Sequence, residues 1–225
     1  MKQMKRFAIY YAPRDGAFAD AAARWLGWDA RTGQAVAQPD VAAIADLTVS
    51  PRRYGFHGTV KPPFRLTEGT SSDALCEAVE ALARGLPAVW LDGLAMARVD
   101  GFLALTPQGD TTALRDMAAN VVQGLEAFRA PLTPAEIAHR RPDRLTPRQQ
   151  ELLAVYGYPY VMEQFKFHLT LSDRLDDLRA PALEAAAKAH FAGLLPRPFV
   201  IEDLCLFGED HDNRFHLLQR YALSA

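Results

Sequence analysis

Two short segments decide the fold: Phe-His-Gly-Thr-Val at residues 56–60 and Phe-His-Leu-Thr-Leu at residues 167–171. Both follow the pattern apolar-His-x-Thr-apolar, and they lie about half of the 225-residue chain apart. One such segment arises readily by chance, whereas two at this spacing indicate a weak internal repeat. Because side chains alternate between the faces of a strand, a His and a Thr two positions apart share a face. The sequence therefore predicts one cleft that holds two imidazoles and two hydroxyls.

The composition is that of a globular protein, with 49% hydrophobic and 23% charged residues. A net charge of −2 argues against a protein coated by long nucleic acid, although a small basic pocket remains compatible with it. Cys76 and Cys205 lie in apolar-patterned segments, which favours buried free thiols and a cytoplasmic location. No apolar run approaches the ~18 residues of a membrane span, and the basic start is followed by too short a run for a secretory leader.

Local signals divide the chain into two similar halves. In the first half they predict strands at residues 7–11, 53–61, 88–91 and 102–106 and helices at 17–26, 41–49 and 72–84, with Pro62-Pro63 ending the second strand. In the second half they predict helices at 110–128 and 181–191 and strands at 164–172, 199–207 and 214–221. We expect a single domain over residues 1–225, with an N-terminal lobe at 1–109 and a C-terminal lobe at 110–225.

A helical insert at residues 133–157 has no counterpart in the first half. Thr133 and Thr146 each begin a Thr-Pro-x-Glu/Gln sequence, which is typical of a capping box with Pro at the first helical position. The insert also carries a basic run, His139-Arg140-Arg141 with Arg144 and Arg148. Such a run most often lies on a solvated surface. A lid that reaches the substrate is the alternative.

The polar faces of the two motif strands have similar content. The first is predicted to carry Arg53, His57, Thr59 and Lys61, and the second Lys166, His168, Thr170 and Ser172. Cleavage of a phosphodiester removes one proton from the attacking oxygen and gives one to the leaving oxygen. Near neutral pH one imidazole can be neutral and another charged, so a histidine pair can do both. The threonine hydroxyls and nearby lysines can stabilise charge on the phosphate oxygens without a metal.

Other candidate residues have competing interpretations. Tyr54 could stack on a base or sugar, although core packing is the more frequent role of such a residue. One of Tyr10 and Tyr11 is expected to face the cleft. The acidic run at 209–212 with His216 looks like a set of metal ligands, but it lies in a predicted hairpin turn, so we expect no metal there. The sequence contains no Gly-x-x-x-x-Gly-Lys phosphate loop and no Gly-x-Ser-x-Gly elbow.

The two motifs and their spacing resemble the 2H phosphoesterase superfamily, which includes cyclic nucleotide phosphodiesterases and 2′-5′ RNA ligase-like proteins. Segments at 7–13, 52–64, 130–133, 157–161 and 167–171 are similar to one branch encoded with phosphonate-degradation genes. The resemblance implies an α+β, bilobal, pseudo-duplicated fold in which two antiparallel sheets line a central cleft and the helices lie outside. It also implies that His57 and His168 are the acid–base pair and that Thr59 and Thr170 bind phosphate oxygens.

The sequence thus predicts a metal-independent enzyme, without a cofactor, that opens small cyclic or linear phosphodiesters. Arg53, Tyr54, Lys61, Lys166 and Ser172 are expected to contact the substrate. The expected partner is a small phosphodiester or nucleotide, with no membrane, and the chain is expected to be a monomer. The alternatives are a 2′-5′ ligase or phosphodiesterase that acts on RNA ends, and a binding protein for nucleotides or phosphonates that has lost turnover.

Overall fold

The computed structural model describes residues 4–224 as a mixture of antiparallel strands and helices. The strands are β1 (Arg6–Tyr11), β2 (Trp28–Asp29), β3 (Gln34–Ala35), β4 (Gly58–Phe64), β5 (Val89–Leu91), β6 (Gly93–Val99), β7 (Phe102–Gln108), β8 (Leu169–Arg174), β9 (Phe199–Ile201), β10 (Asp203–Glu209) and β11 (Phe215–Ala222). The α-helices are α1 (Ala17–Leu26), α2 (Ile44–Leu47), α3 (Val49–Tyr54), α4 (Ser72–Arg84), α5 (Thr112–Gly124), α6 (Pro134–His139), α7 (Pro147–Tyr156) and α8 (Ala180–His190). Within residues 4–224, no helix combines the length and apolarity needed to cross a bilayer.

Seven strands form one sheet in the order β11-β10-β1-β4-β8-β7-β6, and every neighbouring pair is antiparallel. The pairing between β4 and β8 consists of one position, at which Gly58 lies opposite Leu169. The sheet therefore has two parts, of four and three strands, that meet at the two motifs. This arrangement confirms the predicted α+β class with antiparallel sheets. Each part takes strands from both sides of residue 109, so the sheet is not divided along the predicted lobe boundary.

The junction between β4 and β8 joins the middle residues of the two His-x-Thr motifs. In an antiparallel register, positions on either side of the Gly58–Leu169 pair place His57 opposite Thr170 and Thr59 opposite His168. A Cβ on Gly58 would lie 2.2 Å from Cζ of Phe167, the residue before the second motif histidine. Any larger residue here would therefore force the ring of Phe167 to shift.

One face of the sheet is covered by helices and forms the main core. Buried residues of α1, α4, α5 and α8 pack against strand residues such as Ile9, Val60 and Leu171. The next residues along these strands point the other way, because strand side chains alternate. Burial of the apolar face by the helices leaves the opposite face, with its motif histidines and threonines, to line a cleft.

Helix boundaries agree with the local signals in the sequence. Helix α1 has the predicted bounds, and Gly27 ends it in the left-handed conformation at φ 79°. Thr133 and Thr146 both form the predicted capping boxes, with the side chain of Glu136 or Gln149 returning to the cap backbone. Three or four neighbouring residues determine such ends, which is why the sequence alone predicts them.

The first motif strand differs from the prediction of residues 53–61. Arg53 lies in α3, and β4 begins after His57 and continues through Pro62 and Pro63 to Phe64. The prediction that the two prolines end the strand is wrong. Since β4 pairs with β8 only at Gly58, the remainder of β4 has no β8 partner that a proline without an N–H would disrupt.

The sequence prediction omits three strands, β2, β3 and β6, and merges two others. Strand β6 forms a hairpin with β7 through Asp100 and Gly101, whose φ values of 47° and 89° suit a two-residue Asp-Gly turn. The strand predicted at 199–207 is two strands, because β9 pairs with β5 while β10 pairs with β1 and β11. The second motif strand begins at Leu169, later than predicted, after a short 3₁₀ helix at Met162–Gln164.

Candidate functional site

The two motif histidines are held in the same way. Nδ1 of His57 donates to the carbonyl of Gly55, and Nδ1 of His168 donates to the carbonyl of Lys166, both at 2.8 Å. Since a carbonyl oxygen can only accept, these bonds assign the hydrogen of the neutral ring to Nδ1. Nε2 of each ring then has a lone pair and is free to take or give a proton in the cleft.

His57, His168, Thr59 and Thr170 line one cavity of about 370 Å³. A volume of this size accommodates a small phosphorylated molecule. The Gly58–Leu169 pairing brings together the His/Thr pair of the first motif and the His/Thr pair of the second motif. A phosphate between the pairs could contact an imidazole on either side and both hydroxyls.

Burial lowers the pKa of both histidines. Desolvation lowers the pKa of His57 from 6.5 to about 4, and the nearby His168 adds a smaller decrease. The pKa of His168 is also lowered, mainly by desolvation, while the charge of Asp100 acts in the opposite direction. Both rings are therefore mainly neutral near pH 7.

An aromatic side chain from the neighbouring strand packs against each histidine. The ring centroid of Tyr10 lies 4.0 Å from that of His57, and the centroid of Phe102 lies 5.2 Å from that of His168. Of the two tyrosines on β1, Tyr10 lines the cavity, whereas Tyr11 packs in the core against Phe199. These aromatic contacts help to bury the two rings, and burial lowers the histidine pKa values.

The structure places the predicted substrate contacts in different environments. Tyr54 and Ser172 line the histidine cavity, and Lys166 lines an adjoining cavity that also contains His168. Ser172 is committed to the fold, because its hydroxyl accepts from the backbone N–H of Leu103 and donates to the carbonyl of Asp173. Arg53 is exposed on α3, where its guanidinium lies 3.8 Å from the carboxylate of Glu209.

Lys61, which the sequence predicts as a substrate contact, does not line the histidine cavity. Lys61 is 2% exposed, and its Nζ donates to the carbonyl of Val122 and to the carboxylate of Glu126. The register of β4 against β1 shifts between Thr59 and Lys61. This irregularity turns Lys61 away from the face of His57 and Thr59, toward α5.

Several cavity residues were absent from the sequence prediction: Arg6, Phe102, Arg140, Tyr158 and Arg174. Phe102 and Arg174 come from strands that meet through long-range pairing, which local patterns do not reveal. Arg140 belongs to the helical insert, for which a lid was the alternative interpretation. The Asp-Gly turn before Phe102 is the one local signal that would have located this part of the cavity.

The acidic turn at residues 209–212 stabilises the backbone of the hairpin between β10 and β11. The carboxylate of Asp210 accepts from the backbone N–H groups of Asp212 and Arg214 and bonds to Nε2 of His216 at 2.7 Å. Glu209 is buried and binds Arg6. Among residues 4–224, no group of three or more His, Cys, Asp or Glu side chains is arranged to hold a metal ion.

Fold and site together define an α+β protein with an antiparallel sheet and a central cleft that holds two His-x-Thr motifs. The chain belongs to the family described as "Protein of unknown function (DUF1045)", whose profile matches residues 59–216. It is 35% identical over 220 residues to "Ribose 1,5-bisphosphate phosphokinase PhnN" of Janthinobacterium sp. (strain Marseille), covering 93% of this chain and 49% of that protein. A protein of the same name from Laribacter hongkongensis (strain HLHK9) is 37% identical over 207 residues, covering 91% and 48%.

The chain spans about half the length of the curated relatives that it matches. Solved structures with overall similarity include a phosphoesterase, at 16% identity and a TM-score of 0.44, with 99% of this chain and 100% of that chain covered. They also include E. coli LigT complexed with 3′-AMP, at 16% identity and a TM-score of 0.43, with the same coverage.

Proposed function

We propose that this protein is a phosphodiesterase that opens small cyclic or linear phosphodiesters by acid–base catalysis with His57 and His168. The observation that carries the proposal is the shared cavity of two histidines, each with Nδ1 bound to a carbonyl and Nε2 free. Thr59 and Thr170, which line the same cavity, are suited to donate hydrogen bonds to the phosphate oxygens.

The charges near the two histidines suggest their roles. A group that must accept a proton works best when it is neutral, and a group that must donate one works best when charged. Desolvation lowers the pKa of His57 to about 4 and the charge of His168 lowers it further, whereas the charge of Asp100 favours the protonated form of His168. We therefore assign His57 as the base that takes a proton from the attacking water and His168 as the acid.

The reaction then proceeds without a metal. A phosphodiester anion bound between the rings favours their charged forms, so one imidazolium forms by proton uptake from solvent when the substrate binds. Water attacks phosphorus while Nε2 of His57 takes its proton. The bond from phosphorus to the leaving oxygen breaks, and Nε2 of His168 protonates that oxygen. A proton exchange with solvent restores the starting state.

The relatives suggest the substrate class. Their printed name includes ribose 1,5-bisphosphate, and this chain corresponds to about half of their length. A ribose cyclic phosphate is therefore a leading candidate substrate, in phosphonate or nucleotide metabolism. The net charge of −2 favours such a small molecule over a long RNA strand.

A turnover screen of EDTA-treated protein tests the proposal. The panel holds 2′,3′-cyclic nucleotides, ribose cyclic phosphates and 2′-5′-linked dinucleotides, with His57→Ala and His168→Ala as test variants. His139→Ala is the matched control, since His139 is exposed and does not line the cavity. We expect turnover by the wild type and the control and its loss in both test variants.

Three results would count against the proposal. Turnover that survives in His57→Ala would end the acid–base assignment. A rate abolished by EDTA and restored by a divalent metal would replace the metal-independent mechanism. Binding of these ligands without turnover would favour the binding-protein alternative, and turnover of the 2′-5′ dinucleotides alone would favour the RNA-end alternative.

A further inference from the structure

We propose that Arg140 and Arg174 form a second anion subsite in the histidine cavity, so that the preferred ligand carries a phosphomonoester in addition to the phosphate held by the two motifs. The proposal rests on the proposed function for the placement of the first phosphate. It adds a specificity for doubly phosphorylated molecules, which the two His-x-Thr motifs alone do not provide.

The guanidinium groups of Arg6, Arg140 and Arg174 line the cavity. They differ in whether a carboxylate neutralises their positive charge. Arg6 donates two hydrogen bonds, at 2.6 and 2.8 Å, to the carboxylate of buried Glu209. Arg140 and Arg174 form no salt bridge with any carboxylate of residues 4–224. Their positive charge is therefore available to an anionic ligand.

Arg140 is placed in the cavity by the helical insert and by an aromatic ring. It follows the last residue of α6, and its guanidinium lies 4.9 Å from the ring centroid of Tyr158, which also lines the cavity. A guanidinium held over an aromatic face keeps the N–H groups at its edge free, and these can bind two phosphate oxygens at once. The half-buried position limits the side-chain freedom that binding would otherwise remove.

Arg174 is brought to the cavity by an irregularity in β8. Between the pairs Ala104–Thr170 and Phe102–Arg174, β7 advances by two residues while β8 advances by four. Extra residues of this kind re-aim side chains, and here Ser172, Asp173 and Arg174 all line the cavity. Arg174 also lines the adjoining cavity together with His168 and Tyr158.

The acidic groups near the two arginines are few. The carboxylate of Asp173 accepts from the backbone N–H of Ser50, at 3.2 and 3.1 Å. Asp100 lines the adjoining cavity. Neither makes an ion pair with Arg140 or Arg174 in residues 4–224. Because a phosphomonoester carries up to two negative charges and three acceptor oxygens, it suits two uncompensated guanidinium groups better than a neutral sugar or base.

The test compares two stable ligands that differ by one phosphate: adenosine 3′-phosphate and adenosine 3′,5′-bisphosphate. Titration calorimetry gives the dissociation constant of each for the wild type, Arg140→Gln and Arg174→Gln. Arg144→Gln is the matched control, because Arg144 is an exposed arginine of the same insert that does not line the cavity. We expect the wild type and the control to bind the bisphosphate at least tenfold more tightly, and each test variant to lose most of this preference.

Equal binding of the two ligands by the wild type, or a preference that persists in both test variants, would overturn the subsite. Absence of binding by either ligand would overturn it as well. A preference that depends on both arginines, found in a protein without turnover of any substrate in the panel, would support the subsite while the proposed catalytic function fails. The same matched comparison with ribose cyclic phosphates, with and without a 5-phosphate, should show the preference as a lower KM.

Discussion

At the scale of single residues, the environment of His57 makes stability depend on pH. Its pKa is about 4 in the folded protein and about 6.5 in an unfolded chain. Between these values the unfolded state binds more protons, so the free energy of unfolding decreases as pH falls from about 6.5 toward about 4. His57→Gln should therefore lose less stability than the wild type between pH 7 and pH 5. Thermal denaturation at both pH values measures this, with His139→Gln expected to behave like the wild type.

The assignment of His168 as the acid predicts a dependence on the leaving group. A nitrophenolate leaves readily without protonation, whereas a sugar hydroxyl needs an acid. With bis(p-nitrophenyl) phosphate, His168→Ala should therefore lose far less kcat than with a ribose or nucleoside cyclic phosphate. His57→Ala should lose kcat on both, by roughly 10²-fold or more. Equal losses in His168→Ala on both substrates would contradict the assignment.

At the scale of the elements, the close approach of β4 and β8 depends on Gly58. A methyl group there would lie 2.2 Å from the ring of Phe167, which is itself buried in the core. Gly58→Ala should therefore displace the two motifs relative to each other, reduce kcat strongly and destabilise the fold by roughly 1–3 kcal/mol. Gly85→Ala is the control, since a Cβ there would be 3.6 Å from its nearest neighbour at a negative φ.

A double-variant cycle identifies the cause of the Gly58→Ala effect. If the clash with the Phe167 ring is responsible, Phe167→Leu combined with Gly58→Ala should cost less than the sum of the two single changes in urea denaturation. Additive costs would indicate that Gly58 is needed for its backbone alone.

How far the sequence predicts an element depends on how local its cause is. Helix α1 and the two capping boxes have the predicted residues, because caps and apolar spacing act over a few positions. Strand β4 begins later than predicted because its start is determined by pairing with β1 and β8, distant in sequence. Strand β6 was omitted although the Asp100-Gly101 turn is a local signal, so this omission could have been avoided.

At the scale of the whole molecule, the site residues that were predicted have local sequence signals, whereas those that were not predicted depend on long-range contacts. His57, Thr59, His168 and Thr170 come together as predicted, since each pair is two positions apart and the repeat suggests that both line one cleft. Phe102, Arg140 and Arg174, which were not predicted, reach the cavity through strand pairing, an irregularity in β8 and the helical insert. These placements depend on contacts between segments that are distant in the chain. No periodic pattern or residue spacing in a single sequence indicates such contacts.

The buried contact between β4 and α5, made by Lys61, joins the cleft strand to the helical layer. Desolvation lowers the pKa of Lys61, while the carboxylate of Glu126 favours its charged form. Glu126→Gln leaves the ammonium without its counter-charge and should cost about 3 kcal/mol in urea denaturation. Lys61→Met removes the buried charge and keeps an unbranched apolar side chain, so it should change stability by about 1 kcal/mol or less, in either direction.

The activity of Lys61→Met separates the structural role of this lysine from the substrate contact predicted by sequence. Since Nζ of Lys61 bonds to Val122 and Glu126 and Lys61 is absent from the histidine cavity, KM and kcat should stay within about twofold of wild type. A rise in KM with normal stability would instead indicate that Lys61 contacts the substrate. A joint loss of stability and kcat would show that the β4–α5 contact holds Thr59 and His57 in position, because both lie on or next to the strand that Lys61 anchors.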